Sequence, residues 1–153
     1  MKKIILLLLL ILPAYLFAQD LIGKTRNEVN VYIKKSIIDT DSNSWKLTET
    51  DSTIVCKLEK AENKDVWIFE FDKKGNCKIE TYHTSSEKKY LKIRDEALKK
   101  KSYGWLDLNL NQYISKFEKN ILMEMQVIDQ LYSLSFIKTS LDKKLYEILV
   151  GKN

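Results

Sequence analysis

Proline is almost missing from this chain: among 153 residues there is one, Pro13, beside only four glycines. So little of either excludes collagen-like repeats, Pro-rich linkers and low-complexity disorder. Beyond Pro13 no Pro-rich or Gly/Ser-rich stretch divides the sequence, so a single domain is expected. Cysteine is scarce, with Cys56 and Cys77 alone, and His83 is the only histidine. No C-x-x-C or H-x-x-x-H element accompanies them, so the usual zinc spacings are lacking. Also absent are G-x-S-x-G, H-E-x-x-H and G-x-x-x-x-G-K-[ST], which removes the familiar signatures of acyl transfer, metalloproteolysis and nucleotide binding. Long apolar runs are confined to the N-terminus, which excludes a polytopic membrane protein. The remaining composition, 44% hydrophobic and 31% charged, is that of an ordinary globular domain.

The N-terminus carries the most specific pattern. Lys2 and Lys3 precede the unbroken aliphatic run Ile4–Leu12, Pro13 interrupts it, and Ala18 offers a small residue for cleavage before Gln19. The apolar stretch Ile4–Ala18 has 15 residues, short of the roughly 20 that cross a bilayer. The pattern predicts a signal peptide over 1–18, a single domain over 19–153, export to the periplasm or beyond, and no stable membrane span after cleavage. Loss of Lys2 and Lys3 lowers the formal charge from +5 to +3. Basic residues cluster at Lys88, Lys89, Lys92, Arg94 and Lys99–Lys101, but Glu87, Asp95 and Glu96 are interleaved among them. That mixture reads as a solvated helix face, and no nucleic-acid partner is expected.

Helix starts are marked by capping boxes at Thr25/Glu28 and Thr84/Glu87. Val29, Tyr32, Ile33 and Ile37 follow the first at helical spacing, and Tyr90, Leu91, Ala97 and Leu98 follow the second. A shorter helix is predicted from Ser140 as N-cap to Val150, with Gly151 as its stop. Strand patterns lie between: Trp45–Thr48, Ile54–Leu58, Val66–Phe71, Cys77–His83, Trp105–Leu110, Gln112–Phe117, Ile121–Ile128 and Leu131–Lys138. Asp72-Lys73-Lys74-Gly75 reads as a type I turn with a left-handed glycine. It pairs Phe71 with Cys77, Phe69 with Ile79 and Trp67 with Thr81 on an apolar face, with Glu70–Lys78 and Ile68–Glu80 on the other. The expected fold is α+β: an antiparallel sheet of about six or seven strands with helices packed on one face, in a pattern compatible with two similar helix-plus-meander halves.

For chemistry the candidates are few. An even pair of cysteines in an oxidising compartment is compatible with a Cys56–Cys77 disulfide. Two buried thiols fit equally, because a simple meander sets the pair two strand spacings apart. Thr84 and Ser85 neighbour His83 in sequence, but adjacent strand residues point to opposite faces, so no nucleophile–base pair follows. Asp39-x-Asp41-x-Asn43 matches the opening of a calcium loop, yet Ser44 stands where glycine is needed and Thr50 where the bidentate glutamate belongs. No catalytic, cofactor or metal residue is assigned. Partner-binding candidates are Ile68 and Tyr82 on an open sheet face, and the aromatics Trp45 and Trp105.

The segment Leu21-Ile22-Gly23-Lys24-Thr25-Arg26-Asn27-Glu28-Val29 resembles the G-x-[ST]-x-x-[EQ]-V helix start of small exported domains of the SmpA/OmlA (BamE) and β-lactamase-inhibitor-like type. The Phe71-Asp72-x-x-Gly75-x-Cys77 hairpin looks like one found in many small exported bacterial proteins. The resemblance implies a helical layer on an antiparallel sheet and an envelope module that binds another protein. It also differs: Gln19 stands at the new N-terminus in place of an acylated Cys, and Ile37-Ile38-Asp39-Thr40 replaces L-G-x-P. The expected function is therefore an exported, non-catalytic protein-binding or structural module. The rival expectation is a small hydrolase with acidic residues in a cleft between helix and sheet, which needs two carboxylates within roughly 5 to 10 Å.

Overall fold

The computed structural model describes residues 21–38, 45–58 and 64–151. The predicted signal peptide and the Asp39-x-Asp41-x-Asn43 loop lie outside them. Helix α1 (Arg26–Ile33) begins at the Thr25 capping box: the Thr25 N–H donates to Glu28 Oε2 at 2.8 Å, and the Glu28 N–H donates to Thr25 Oγ1 at 3.4 Å. These bonds satisfy donors that a helix start otherwise leaves open, and they hold the Glu28 carboxyl below its usual range. A π-helical turn, Lys34–Ile38, continues the helix and buries Ile37 beside Val29 and Ile33.

Four strands follow, β1 (Trp45–Glu49), β2 (Thr53–Leu58), β3 (Asp65–Phe71) and β4 (Cys77–Thr84), then helix α2 (Glu87–Leu98). Four more, β5 (Trp105–Asn109), β6 (Gln112–Ser115), β7 (Ile121–Ile128) and β8 (Leu131–Lys138), precede helix α3 (Lys143–Leu149). The strands form one antiparallel sheet of eight, more than the six or seven expected, in the order β1-β2-β3-β4-β8-β7-β6-β5. Each half is thus a helix followed by a meander. The two meanders join at their last strands, leaving β1 and β5 as edges.

The β3–β4 hairpin turns as its sequence predicts. Gly75 adopts φ +78°, which only glycine takes without strain, and Asp72 Oδ1 accepts the Lys74 and Asn76 N–H groups at 2.8 and 2.9 Å. The expected register then fails after its first pair. Phe71 lies opposite Cys77, but Glu70 lies opposite Ile79, so Lys78 is bulged out and the remaining pairs become Phe69–Glu80, Ile68–Thr81 and Trp67–Tyr82. A bulge reverses which alternate residues face which side. Glu80, Tyr82 and Thr84 therefore turn inward with Phe69, Trp67 and Asp65, while Ile79, Thr81 and His83 turn to the other face. The Lys78–Glu70 ion pair survives at 3.5 Å.

The main core lies on the side facing α1 and α2. Val29, Ile33, Tyr90, Ile93 and Ala97 from the helices meet Ile54, Phe69, Met123, Leu134 and Phe136 from the sheet. Ile93, not Leu91, completes the buried arc of α2; Leu91 is exposed. That helix starts two residues later than expected, because Ser86 caps it and Thr84 ends β4. α3 begins at the N-cap Asp142 in place of Ser140. Its Tyr146 and Val150 form a second cluster with Ile114. Ile114 pairs with Leu122, whereas its neighbour Tyr113 pairs with Met123 of the main core. Strand alternation therefore puts α3 across the sheet from α1 and α2, over β5 and β6. The three helices do not share one face.

Cys56 lies opposite Trp67, and Cys77 lies opposite Phe71, four residues further along β3. That offset adds to two strand spacings, which exceeds the roughly 7 Å that a disulfide spans. Both side chains are buried, and no disulfide joins them in the structure. Burial raises the Cys56 thiol to about 11, so it stays protonated and unreactive at neutral pH.

Candidate functional site

The helix side of the sheet spends its polar groups internally. Asp65 Oδ1 accepts from Tyr82 Oη at 3.1 Å and Thr84 Oγ1 at 2.5 Å, and Oδ2 pairs with the Lys89 ammonium of α2. Thr84 Oγ1 also accepts the Ser86 N–H at 3.0 Å. One buried carboxylate thereby ties the start of β3 to the end of β4 and the first turn of α2. Its acceptor positions are occupied, as a buried charge requires. Glu80, 2% exposed, sits between Phe69 and Phe136 in register, and its charge joins burial in raising the Tyr32 hydroxyl pKa. Asp65 and Glu80 stand four residue steps apart along the ladder, about 13 Å at the strand rise. That is wider than the carboxylate pair of a glycosidase.

Three of the four sequence candidates for partner contact belong to this covered side. Tyr82 is 4% exposed, tilted against Trp67 with ring centroids 4.7 Å apart. The register shift is what turned it inward. Trp105 stacks on Tyr103 at 4.5 Å and donates from Nε1 to the Ala97 carbonyl at 3.0 Å, fastening β5 to the end of α2. Trp45, at the edge of the sheet, is half-buried against the main core. Aromatic rings with this much apolar area go inward wherever strand alternation allows. Ile68 alone lies on the opposite face.

Among the described residues, that opposite face is the open one. Its rows follow from the register: Val66–His83–Ser133–Gln126, then Ile68–Thr81–Ser135–Glu124, then Glu70–Ile79–Ile137–Leu122. Beyond Leu122 the third row reaches Ile114, where α3 begins to cover it. The aliphatic residues Val55, Val66, Ile68, Ile79, Ile137 and Leu122 are all half-buried. Thr81 Oγ1 and Ser135 Oγ hydrogen-bond across the β4–β8 seam at 3.0 Å, and Gln112 Nε2 donates to Glu124 Oε1 at 2.9 Å. The His83 Nδ1 is buried without a hydrogen-bond partner among the described residues, and burial lowers the imidazole pKa.

Sequence reasoning named Ile68 and missed Ile79, Thr81, Ser135, Ile137 and Leu122. The alternation Ser133-x-Ser135-x-Ile137, complementary to the buried Leu134-x-Phe136, was the signal for the β8 part. Among the described residues, no three His, Cys, Asp or Glu side chains are grouped to hold a metal ion, and no helix is long and apolar enough to cross a membrane. Comparison of the chain with protein-family models, with curated proteins and with solved structures finds no match.

Proposed function

We propose that this chain is exported to the bacterial envelope or exterior and acts there without catalysis, binding another protein through the open face of its sheet. The carrying observation is that face itself. Half-buried aliphatic side chains from five strands lie side by side with small hydroxyls, and α1 and α2 are packed on the other side. A continuous patch of this kind marks an interaction surface more often than scattered apolar residues do, and its mixture of aliphatic centre and polar margin resembles an interface core and rim. Export is supported by the Lys2–Ala18 pattern, and an envelope role by the resemblance of the Gly23–Val29 helix start to small exported domains. The carboxylates on the helix side favour no hydrolytic reading, because Asp65 already accepts from three side chains.

The test is affinity capture from envelope extract with the wild type, with Ile68→Arg/Ile137→Arg, and with Lys35→Glu on the far side. The reading expects a specific protein that the wild type and Lys35→Glu retain and the double variant loses. Capture that all three share, or turnover of any substrate that disappears in His83→Ala, contradicts it.

A further inference from the structure

The net charge of this chain is concentrated in one place. Residues 87–101 hold seven Lys or Arg against three Asp or Glu, while the rest of the chain beyond residue 20 is balanced at seventeen of each. These fifteen residues are α2 and the turn after it. Lys88, Lys92 and Lys99 stand at i, i+4 and i+11, which puts them in one line along the helix, with Lys101 beyond its end. All four are exposed. The line is about 16 Å long at the helical rise. Asp95 is the only acid in it, and Arg94 Nη2 holds that carboxylate at 2.6 Å. Leu91, beside the line, is exposed as well.

From this arrangement we infer that the outer face of α2 docks the protein onto an anionic lipid bilayer. A row of exposed lysines along a helix can meet a plane of headgroups along its whole length. Lysine, a hydrated point charge on a flexible stem, suits a diffuse field of charge, whereas selective capture of one phosphate favours the arginine fork. The single arginine here is taken up by Asp95. The exposed Leu91 can enter the interfacial layer beside the lysines. A consequence follows for the proposed binding surface. Tyr90, Ile93 and Ala97 of α2 pack on the helix side of the sheet, over β4 and β8. A protein resting on the outer face of α2 therefore presents its open sheet face away from the membrane, free to meet a partner.

The measurement is co-sedimentation of the full chain with vesicles of phosphatidylglycerol plus phosphatidylcholine, against phosphatidylcholine alone, at low and high salt. Two variants with equal charge loss are compared: Lys88→Gln/Lys92→Gln/Lys99→Gln/Lys101→Gln on α2, and Lys73→Gln/Lys74→Gln/Lys119→Gln/Lys144→Gln elsewhere. Circular dichroism checks that both fold. Binding by the wild type depends on the anionic lipid and weakens with salt, and the α2 variant loses roughly 100-fold in partitioning. The second variant loses far less. Equal loss from both variants, binding to both vesicles that is indifferent to salt, or binding to soluble polyglutamate with none to vesicles overturns the inference.

Discussion

The two halves of the sheet share an element order and differ in how they are covered. In the first, α1 packs one face of β1–β4, and among the described residues no helix covers the half-buried other face. In the second, β5 and β6 are covered on both faces, by the main core on one side and by α3 on the other. Their polar groups differ too. The first half centres on a buried ionic knot at Asp65, whereas the second uses neutral bonds: Ser115 Oγ donates to the Tyr103 carbonyl at 2.7 Å, and Tyr146 Oη donates to the Ser115 carbonyl at 2.8 Å. The lesson is about where a surface remains. Among the described residues, two meanders joined at their last strands make a sheet wider than three short helices cover, and the uncovered remainder lies around the seam, from β2 through β3, β4 and β8 to β7. That remainder is the face assigned to binding.

Core truncation tests the comparison most severely. Phe69→Ala, in the main core under α1, costs about 3 to 5 kcal/mol in denaturant unfolding. Tyr146→Ala, in the small cluster under α3, costs about 2 to 3 kcal/mol, because fewer buried neighbours surround it and two carbonyl contacts are lost. A larger cost for Tyr146 would make α3 a central element and not a cover. Asp65→Ala comes next, at about 2 to 4 kcal/mol, since it removes the acceptor for the buried Tyr82 and Thr84 hydroxyl protons. Ser115→Ala, its neutral counterpart, should cost about 1 kcal/mol.

A pH titration sharpens the picture of the open face. Burial holds the His83 imidazole below its ordinary value of 6.5, so the folded state binds fewer protons than the unfolded chain. Stability then declines as pH falls from about 7 through the depressed folded value, and stays level below it. His83→Asn should remove that slope. The lowered carboxyls of Glu28, Glu49 and Asp72 act in a more acidic window, losing their contribution as pH falls through their folded values. The smallest stability effect belongs to Ile68→Arg, under about 1 kcal/mol at this half-exposed site, although it should abolish partner capture.

Local chemistry was legible in the sequence. The Thr25–Glu28 capping box and the Asp72–Gly75 turn are each encoded within a few residues. So were the strand segments, although the expected sheet had six or seven strands and the structure has eight. What could not be read depends on distant parts of the chain. Nothing near Lys78 announces a bulge, which sets Tyr82 and not Thr81 opposite Trp67 in the buried place. The pairing of β4 with β8, and with it the open face, joins residues about fifty positions apart. The side on which α3 lands depends on that pairing. Trp45 and Trp105 looked available because flanking polar residues mark exposure poorly at the end of a sheet.

The central claim is tested most directly by photo-crosslinking in the intact envelope. A photoreactive side chain is placed at Ile68 or Ile137 on the open face, or at Lys35 on the π-helical turn after α1 as a control. The account predicts one discrete protein adduct from the first two positions and none from Lys35. An adduct from Lys35 with none from the open face would contradict it.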